Sequence, residues 1–189
     1  MKRIVFPALL LTALTGCMKE AALPTPQLPA ATQTGQQTAG CRVDGQLWVP
    51  AGGGLFAPNP ISVTLRRDGT RRHLSVLLDR NPATDDGLPN PNTLIQLYVP
   101  NVSGPGVFAL DQPADPRLTN SNPAYAAFWY TAPSPDQLLI TGPTATGQLT
   151  ITRLDTVARV VAGTFQFRSR EQAGPATVHV TDGRFDLTY

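Results

Sequence analysis

The stretch at residues 61–79, ISVTLRRDGTRRHLSVLLD, decides the fold class. Asp68 and Gly69 stand at its centre, and an Asp-Gly pair between alternating apolar residues is a strong signal for a two-residue β-hairpin turn. The expected cross-strand pairs are Leu65 with Arg72, Val63 with Leu74 and Ile61 with Val76. One face of this hairpin is therefore almost entirely aliphatic, as a half-buried antiparallel sheet requires. The other face carries His73 and several arginines, and we expect it to lie in water.

Strand-like runs continue on both sides of this hairpin. At residues 41–49 the sequence CRVDGQLWV has a turn signal at Asp44 and Gly45, which places Cys41 opposite Trp48 and predicts that the thiol is buried under the indole. The later runs include TLIQLYV at 93–99 and YAAFWYT at 125–131, followed by an alternating C-terminal third. With about nine or ten strands, the pattern predicts a single all-β domain over residues 41–189, an antiparallel β-sandwich or barrel-like fold.

The C-terminal stretch TVHVTDGRFDLTY, residues 177–189, alternates in two phases. Val178 and Val180 share one parity, whereas Phe185 and Leu187 have the other. The phase changes at residues 182–183, where either a β-bulge absorbs one residue or a hairpin turn forms. Both alternatives place His179 away from the apolar face.

The composition limits the chemistry that the chain can perform. Its 189 residues include 16 Gly and 19 Pro but only 15% charged residues, which favours short strands and turns. The sequence has no Gly-x-Ser-x-Gly motif, no His-x-x-x-His pair and no phosphate-binding Gly-Lys-Ser/Thr loop. We therefore expect a non-catalytic protein without a cofactor, with a small hydrolase as an alternative.

The first forty residues are typical of an export signal followed by a linker. A basic start precedes an apolar run at residues 4–14. The run ends in a four-residue motif, Leu14, Thr15, Gly16 and Cys17. This motif resembles the lipobox of bacterial lipoproteins, which implies cleavage before Cys17 and lipidation of its thiol. Residues 1–16 are then a signal peptide that is removed, and residues 17–40, rich in Pro, Thr and Gln, are predicted to form a disordered tether.

The same resemblance implies a location and a set of partners. Met18, rather than Asp, follows the lipidated cysteine, which resembles outer-membrane sorting signals. We expect a cell-envelope protein held on the membrane by its lipid anchor, with an envelope protein or a glycan as a further partner. Loss of Lys2 and Arg3 leaves 13 basic residues, two fewer than the 15 of the full chain, against 13 acidic residues. This balance gives no electrostatic reason to expect nucleic acid.

Three short motifs mark the two ends of the predicted domain. They fall on Val43, Gly45 and Trp48, on Gly163, Thr164, Phe165 and Phe167, and on Thr181, Asp182, Gly183, Phe185 and Asp186. In this order they resemble a family of small Bacteroidota lipoproteins of unknown function. The resemblance implies an exported, lipid-anchored β domain in which these residues determine the fold.

Two groups of residues are candidates for ligand binding. Tyr125, Trp129 and Tyr130 on the aromatic strand could form a platform for a glycan, although alternation sends Tyr130 to the face opposite the other two. Asp79, Asp85 and Asp86 belong to a loop with the oxygen ligands that calcium prefers, without the spacing of an EF-hand. The main interpretation is a lipid-anchored binding or scaffolding domain, and the alternatives are a glycan-binding accessory lipoprotein and a small envelope hydrolase.

Overall fold

The computed structural model describes residues 27–52, 57–117, 122–133 and 136–189. Within these ranges the chain has no helix, and eleven strands form one antiparallel sheet that curls into a half-barrel. The predicted all-β class is confirmed, with eleven strands rather than nine or ten. No helix in the described ranges has the length and apolar character needed to cross a membrane. The predicted signal peptide and the lipobox with Cys17 lie outside the described residues.

Within the described ranges, the eleven strands follow one another without a helix between them. In chain order they are β1 (Thr38–Val43), β2 (Gln46–Trp48), β3 (Ile61–Asp68), β4 (Arg71–Arg80), β5 (Thr93–Val99), β6 (Gly106–Leu110), β7 (Tyr125–Tyr130), β8 (Gln137–Ile140), β9 (Gly147–Asp155), β10 (Val160–Glu171) and β11 (Thr177–Thr188). Their order across the sheet is β2-β1-β11-β10-β8-β7-β5-β4-β3, and β9 pairs with both β10 and β6. β10 is the central strand, because β11 runs along one side of it while β9 and β8 share the other side.

One face of the sheet carries the main apolar core. Along β4, Leu74, Val76 and Leu78 are buried, while the residues between them are half-buried. The aliphatic face predicted for the β3–β4 hairpin therefore lies on the inside. A smaller apolar cluster packs on the opposite face and consists of Tyr98, Tyr125, Ala127 and Ile140.

The turn of the β3–β4 hairpin differs from the prediction. Asp68 pairs with Arg71, so the two turn residues are Gly69 and Thr70. Gly69 has a φ of +58°, and a glycine at the first turn position is typical of the type II′ turn, whose twist matches that of paired strands. The observed pairs are Leu65 with Leu74, Val63 with Val76 and Ile61 with Leu78. Each of these β3 residues pairs with a β4 residue two positions beyond the predicted one, so the same side chains still face inwards. Leu65 therefore has an apolar partner, Leu74, instead of the predicted Arg72.

The change of phase near the C-terminus is a β-bulge. β11 runs without interruption from Thr177 to Thr188, so residues 182–183 do not form a hairpin. Between Phe165 and Phe167 of β10, the partner in β11 moves by three residues, from Gly183 to Val180. Asp182 adopts a φ of +53° within this bulge. Because the bulge adds one residue, the apolar side chains before it and after it all face the core. Of the two predicted alternatives, a bulge and a hairpin turn, the bulge is therefore the one that forms.

The first hairpin has the predicted register, with Cys41 opposite Trp48. Both side chains are fully buried, and burial raises the pKa of the Cys41 thiol far above its usual range. The indole Nε1 of Trp48 donates a hydrogen bond to Thr93 Oγ1 at 2.9 Å, which joins β2 to β5 through the core. The prediction that Cys41 is a covered apolar residue is confirmed.

Residues 27–37, called the N-terminal segment below, pack on the domain, although the sequence predicts a disordered tether as far as residue 40. β1 begins at Thr38, before the predicted boundary at Cys41. The buried carboxylate of Asp186 on β11 accepts hydrogen bonds from the Thr32 hydroxyl at 2.6 Å and from the backbone amides of Thr34, Gly35 and Gln36 at 2.9, 2.7 and 3.2 Å. A buried carboxylate needs such donors, and the N-terminal segment supplies them.

Candidate functional site

The three aromatic residues predicted to bind a ligand do not share one surface. Tyr125 is only 2% exposed and stacks on Tyr98, with ring centroids 5.3 Å apart. Trp129 is half-buried and packs against the same outer cluster. Tyr130 belongs to the opposite face, where its ring meets that of Phe128 edge-on at 5.2 Å. A platform that uses all three rings is therefore not formed, and of the three it is Tyr130 that borders a cavity.

The two histidines lie on strands that are not neighbours in the sheet, β4 and β11. His73 is half-buried rather than solvated: its Nδ1 lies 2.9 Å from the Tyr98 hydroxyl, and the two rings stack at 6.2 Å. His179 is exposed, as predicted. The structure therefore does not bring the two imidazole rings together.

The acidic loop after β4 is organised around a buried arginine. The side chain of Arg80 is fully buried, and its Nη2 lies 2.5 Å from Asp86 Oδ1. The same guanidinium donates to the backbone carbonyl oxygens of Pro89, Val49 and Leu88 at 3.1, 3.1 and 3.3 Å. Its hydrogen bond to Asp86 holds the pKa of that carboxyl below the usual range. Arg80 therefore fastens both this loop and the chain after β2 to the end of β4.

The other two candidate calcium ligands have separate environments. Asp85 Oδ1 accepts a hydrogen bond from the backbone amide of Gly87 at 2.9 Å. Asp79 points to the face of β4 opposite Arg80, and burial raises the pKa of its carboxyl. Within the described ranges, no three side chains of the metal-binding types come together. Asp79, Asp85 and Asp86 are thus not gathered around one position.

A cavity of about 690 Å³ opens at the edge of the sheet where β7 and β10 end and β8 begins. Tyr130 at the end of β7 pairs with Gln137 at the start of β8, and Glu171 at the end of β10 pairs with Leu139 of β8. The polar side chains that line this cavity, called the Tyr130 cavity below, are Arg117, Tyr130, Asp136, Gln137, Glu171 and Gln172.

The lining of the Tyr130 cavity suits a polar ligand. It offers one guanidinium, two carboxylates, two amides and a phenol, and so presents hydrogen-bond donors and acceptors beside an aromatic ring. The hydroxyl of Tyr130, like that of any ordinary tyrosine, is protonated at neutral pH and can donate. Burial raises its pKa further. A concave site with a few convergent polar groups is the usual form of a small-molecule site.

The sequence predicts Tyr130 as a ligand contact, and Arg117 belongs to the polar loop, residues 111–124, that the sequence places next to the aromatic strand. Arg117, Asp136 and Glu171 come from distant segments, and they meet because β8 pairs with both β7 and β10. The signal that points to two of them is a charged residue at a strand boundary, because Asp136 directly precedes β8 and Glu171 ends β10.

Comparison of this chain with protein-family models, curated proteins and solved structures found no match. The candidate site is therefore assigned from the positions of this chain's own residues.

Proposed function

We propose that this chain is a lipid-anchored protein of the bacterial cell envelope, held at the outer membrane through Cys17, whose β domain binds a ligand without catalysing a reaction. The Leu14 to Cys17 motif supports the anchor. The Tyr130 cavity is the observation that carries the binding function, because its lining combines hydrogen-bond donors and acceptors with an aromatic residue. Residue 27 follows Cys17 by ten residues, so the domain stays within about 35 Å of the anchor.

Replacing Cys17 by alanine is expected to abolish incorporation of radiolabelled palmitate into the chain in a Gram-negative host. Cys41 provides the matched control: its thiol is buried in the domain, so Cys41→Ala should keep the label. Protease treatment of intact cells then shows whether the domain faces the outside. Absence of label in the unchanged chain would contradict the anchor and, with it, the proposed location.

A glycan is the ligand class that the Tyr130 cavity favours. Sugars combine hydroxyl groups, which need paired donors and acceptors, with apolar ring faces that stack on aromatic side chains. Gln137 and Gln172 supply amides that donate and accept at once, and Tyr130 supplies the ring. Glycan binding by this domain is therefore the second, more specific proposal, and it uses one ring rather than an aromatic strand.

Tyr130→Ala is expected to weaken binding to envelope glycan fragments about tenfold, or ~1.4 kcal/mol, because the aromatic ring is lost from the lining of the cavity. Tyr130→Phe keeps the ring and should retain most of the affinity. The measurement is titration of the purified chain with peptidoglycan and polysaccharide fragments, with thermal unfolding to confirm that both variants fold. If the alanine variant binds as tightly as the parent, the Tyr130 cavity is not the glycan site. Release of new reducing ends from the fragments would favour the hydrolase alternative.

A further inference from the structure

The tip of the β3–β4 hairpin concentrates positive charge. Arg66 and Arg67 precede Asp68, the last residue of β3, and Arg71 and Arg72 begin β4. Arg67 lies directly opposite Arg72 in the register. Like charges in directly opposed positions destabilise a sheet, so this arrangement is unfavourable for folding unless something else neutralises it.

Within the part of the chain that the structure describes, the arginines of this tip form no ion pair. Among the described residues, the ion pairs join Arg42 to Asp182, Arg80 to Asp86 and Arg153 to Asp155. Asp68 faces Arg71 across the hairpin, which leaves an excess of three positive charges at the tip. Arg66, Arg67 and Arg71 are exposed, and Arg72 is half-buried.

A cavity of about 440 Å³ lies between this tip and the loop after β5. Its polar lining consists of Arg67, Thr70, Arg71, Arg72, Asn101 and Ser103. The loop is fixed to the hairpin, because the backbone amide of Val102 donates to the carbonyl oxygen of Arg72 at 2.9 Å and the Val102 side chain is buried in the core. Guanidinium groups therefore stand beside hydroxyl and amide donors on a rigid support.

This set of donors matches a tetrahedral oxyanion. Guanidinium groups bind phosphate oxygens through paired N–H donors, and hydroxyl and amide groups complete the coordination of the remaining oxygens. The excess of positive charge favours a ligand with more than one negative charge. The tip and the Tyr130 cavity lie at opposite ends of the sheet. Near the tip, Leu74 pairs with Val99. At the other end of the same two strands, Arg80 pairs with Thr93, and Thr93 in turn pairs with Tyr130.

We propose that the cavity between the β3–β4 tip and the loop after β5 is a second binding site, one that takes a phosphate-bearing ligand. The phosphate is either part of a membrane headgroup or part of a soluble compound, and the recognition chemistry is the same for both. The site does not depend on the glycan proposal, and it needs no lipid anchor.

The test uses the mature chain, residues 17–189, carrying Cys17→Ser, so that neither the signal peptide nor an acyl chain holds the protein on a vesicle. One arm titrates pyrophosphate and follows the thermal unfolding midpoint, which rises when a ligand binds the folded state. The other arm compares sedimentation with phosphatidylglycerol vesicles and with phosphatidylcholine vesicles. Binding in the first arm identifies a soluble phosphate as a sufficient ligand, and preference for phosphatidylglycerol identifies a headgroup.

The decisive comparison is between two variants that lose the same charge. Arg67→Gln with Arg71→Gln changes the proposed site, and Arg168→Gln with Arg170→Gln removes two exposed arginines from β10. We expect the first pair to weaken binding about tenfold or more and the second pair to leave it unchanged. Equal weakening by both pairs, or no binding by the parent in either arm, would overturn the proposal. Because the first pair relieves the opposition of Arg67 and Arg72, that variant should unfold at or above the parent temperature.

Discussion

Arg80→Met is expected to lower the free energy of unfolding by about 3–5 kcal/mol, the largest effect of any single substitution proposed for this domain. Methionine fills a similar volume, so the loss comes from hydrogen bonds rather than from a large cavity. The guanidinium satisfies the carbonyl oxygens of Val49, Leu88 and Pro89 together with Asp86 Oδ1. Each buried carbonyl left without a donor costs about 1–3 kcal/mol.

Urea denaturation followed by tryptophan fluorescence measures this loss, because Trp48 is buried next to the affected strands. Arg80→Lys keeps the charge but has a single nitrogen, so we expect an intermediate loss. Arg168→Met is the matched control on an exposed position and should change stability by about 0.5 kcal/mol at most. A loss below about 1 kcal/mol for Arg80→Met would show that water replaces the guanidinium at these carbonyl groups.

Asp186→Asn is expected to lower the free energy of unfolding at neutral pH by about 1.5–3 kcal/mol and to release the N-terminal segment. The carboxylate is 1% exposed and accepts four hydrogen bonds from residues 32–36. Asparagine keeps the shape but has one carbonyl oxygen and no charge. Hydrogen exchange at residues 32–37 measures the release, and protection that equals the parent's would contradict the role of Asp186.

The same carboxylate makes the stability of the domain depend on acid. Burial raises the pKa of Asp186, but the hydrogen bonds from Thr32, Thr34, Gly35 and Gln36 outweigh burial and hold it below the usual value. A pKa that is lower in the folded than in the unfolded chain contributes stability above about pH 4, and this contribution is lost as the pH falls through the folded value. The difference in stability between the parent and Asp186→Asn should therefore narrow as the pH falls below about 4.

Asp182→Asn is the control for this experiment. Asp182 lies on the same strand, its side chain is 55% exposed, and its contact with Arg42 is 3.6 Å long. Asparagine tolerates the positive φ of this position. The variant should therefore keep both the stability and the acid response of the parent.

Alternation along the chain predicted the faces of the sheet better than it predicted the register. The inner face of β3 and β4 was predicted correctly, because a shift by two residues does not change parity. The turn was assigned to Asp68 and Gly69 from local residue types, whereas pairing of Leu65 with Leu74 depends on contacts along the whole hairpin. The N-terminal segment was missed because it has no hydrophobic period. Polar contacts hold it instead, chiefly those to the Asp186 carboxylate, together with hydrogen bonds from Arg184 to Pro29 and from Thr188 to Gln37.

The burial of Arg80 follows from the alternation of its strand, although its charge favours an exposed position. Arg80 follows Leu74, Val76 and Leu78 at the same parity on β4, so alternation alone places it inside. The Tyr130 cavity is different, because no local pattern reports that β8 will join β7 to β10. That information lies in contacts between distant segments, and it emerges when the sheet is complete.

β3 is the last strand in the sheet order, and its outer edge pairs with no other strand in the described ranges. An open edge of this kind offers its N–H and C=O groups to another molecule and so invites aggregation. A second copy that added itself along β3 would have to cover Arg66 and Arg67 and remove them from water. Where many copies are crowded together, the cost of burying these two charges disfavours pairing of neighbouring domains along β3.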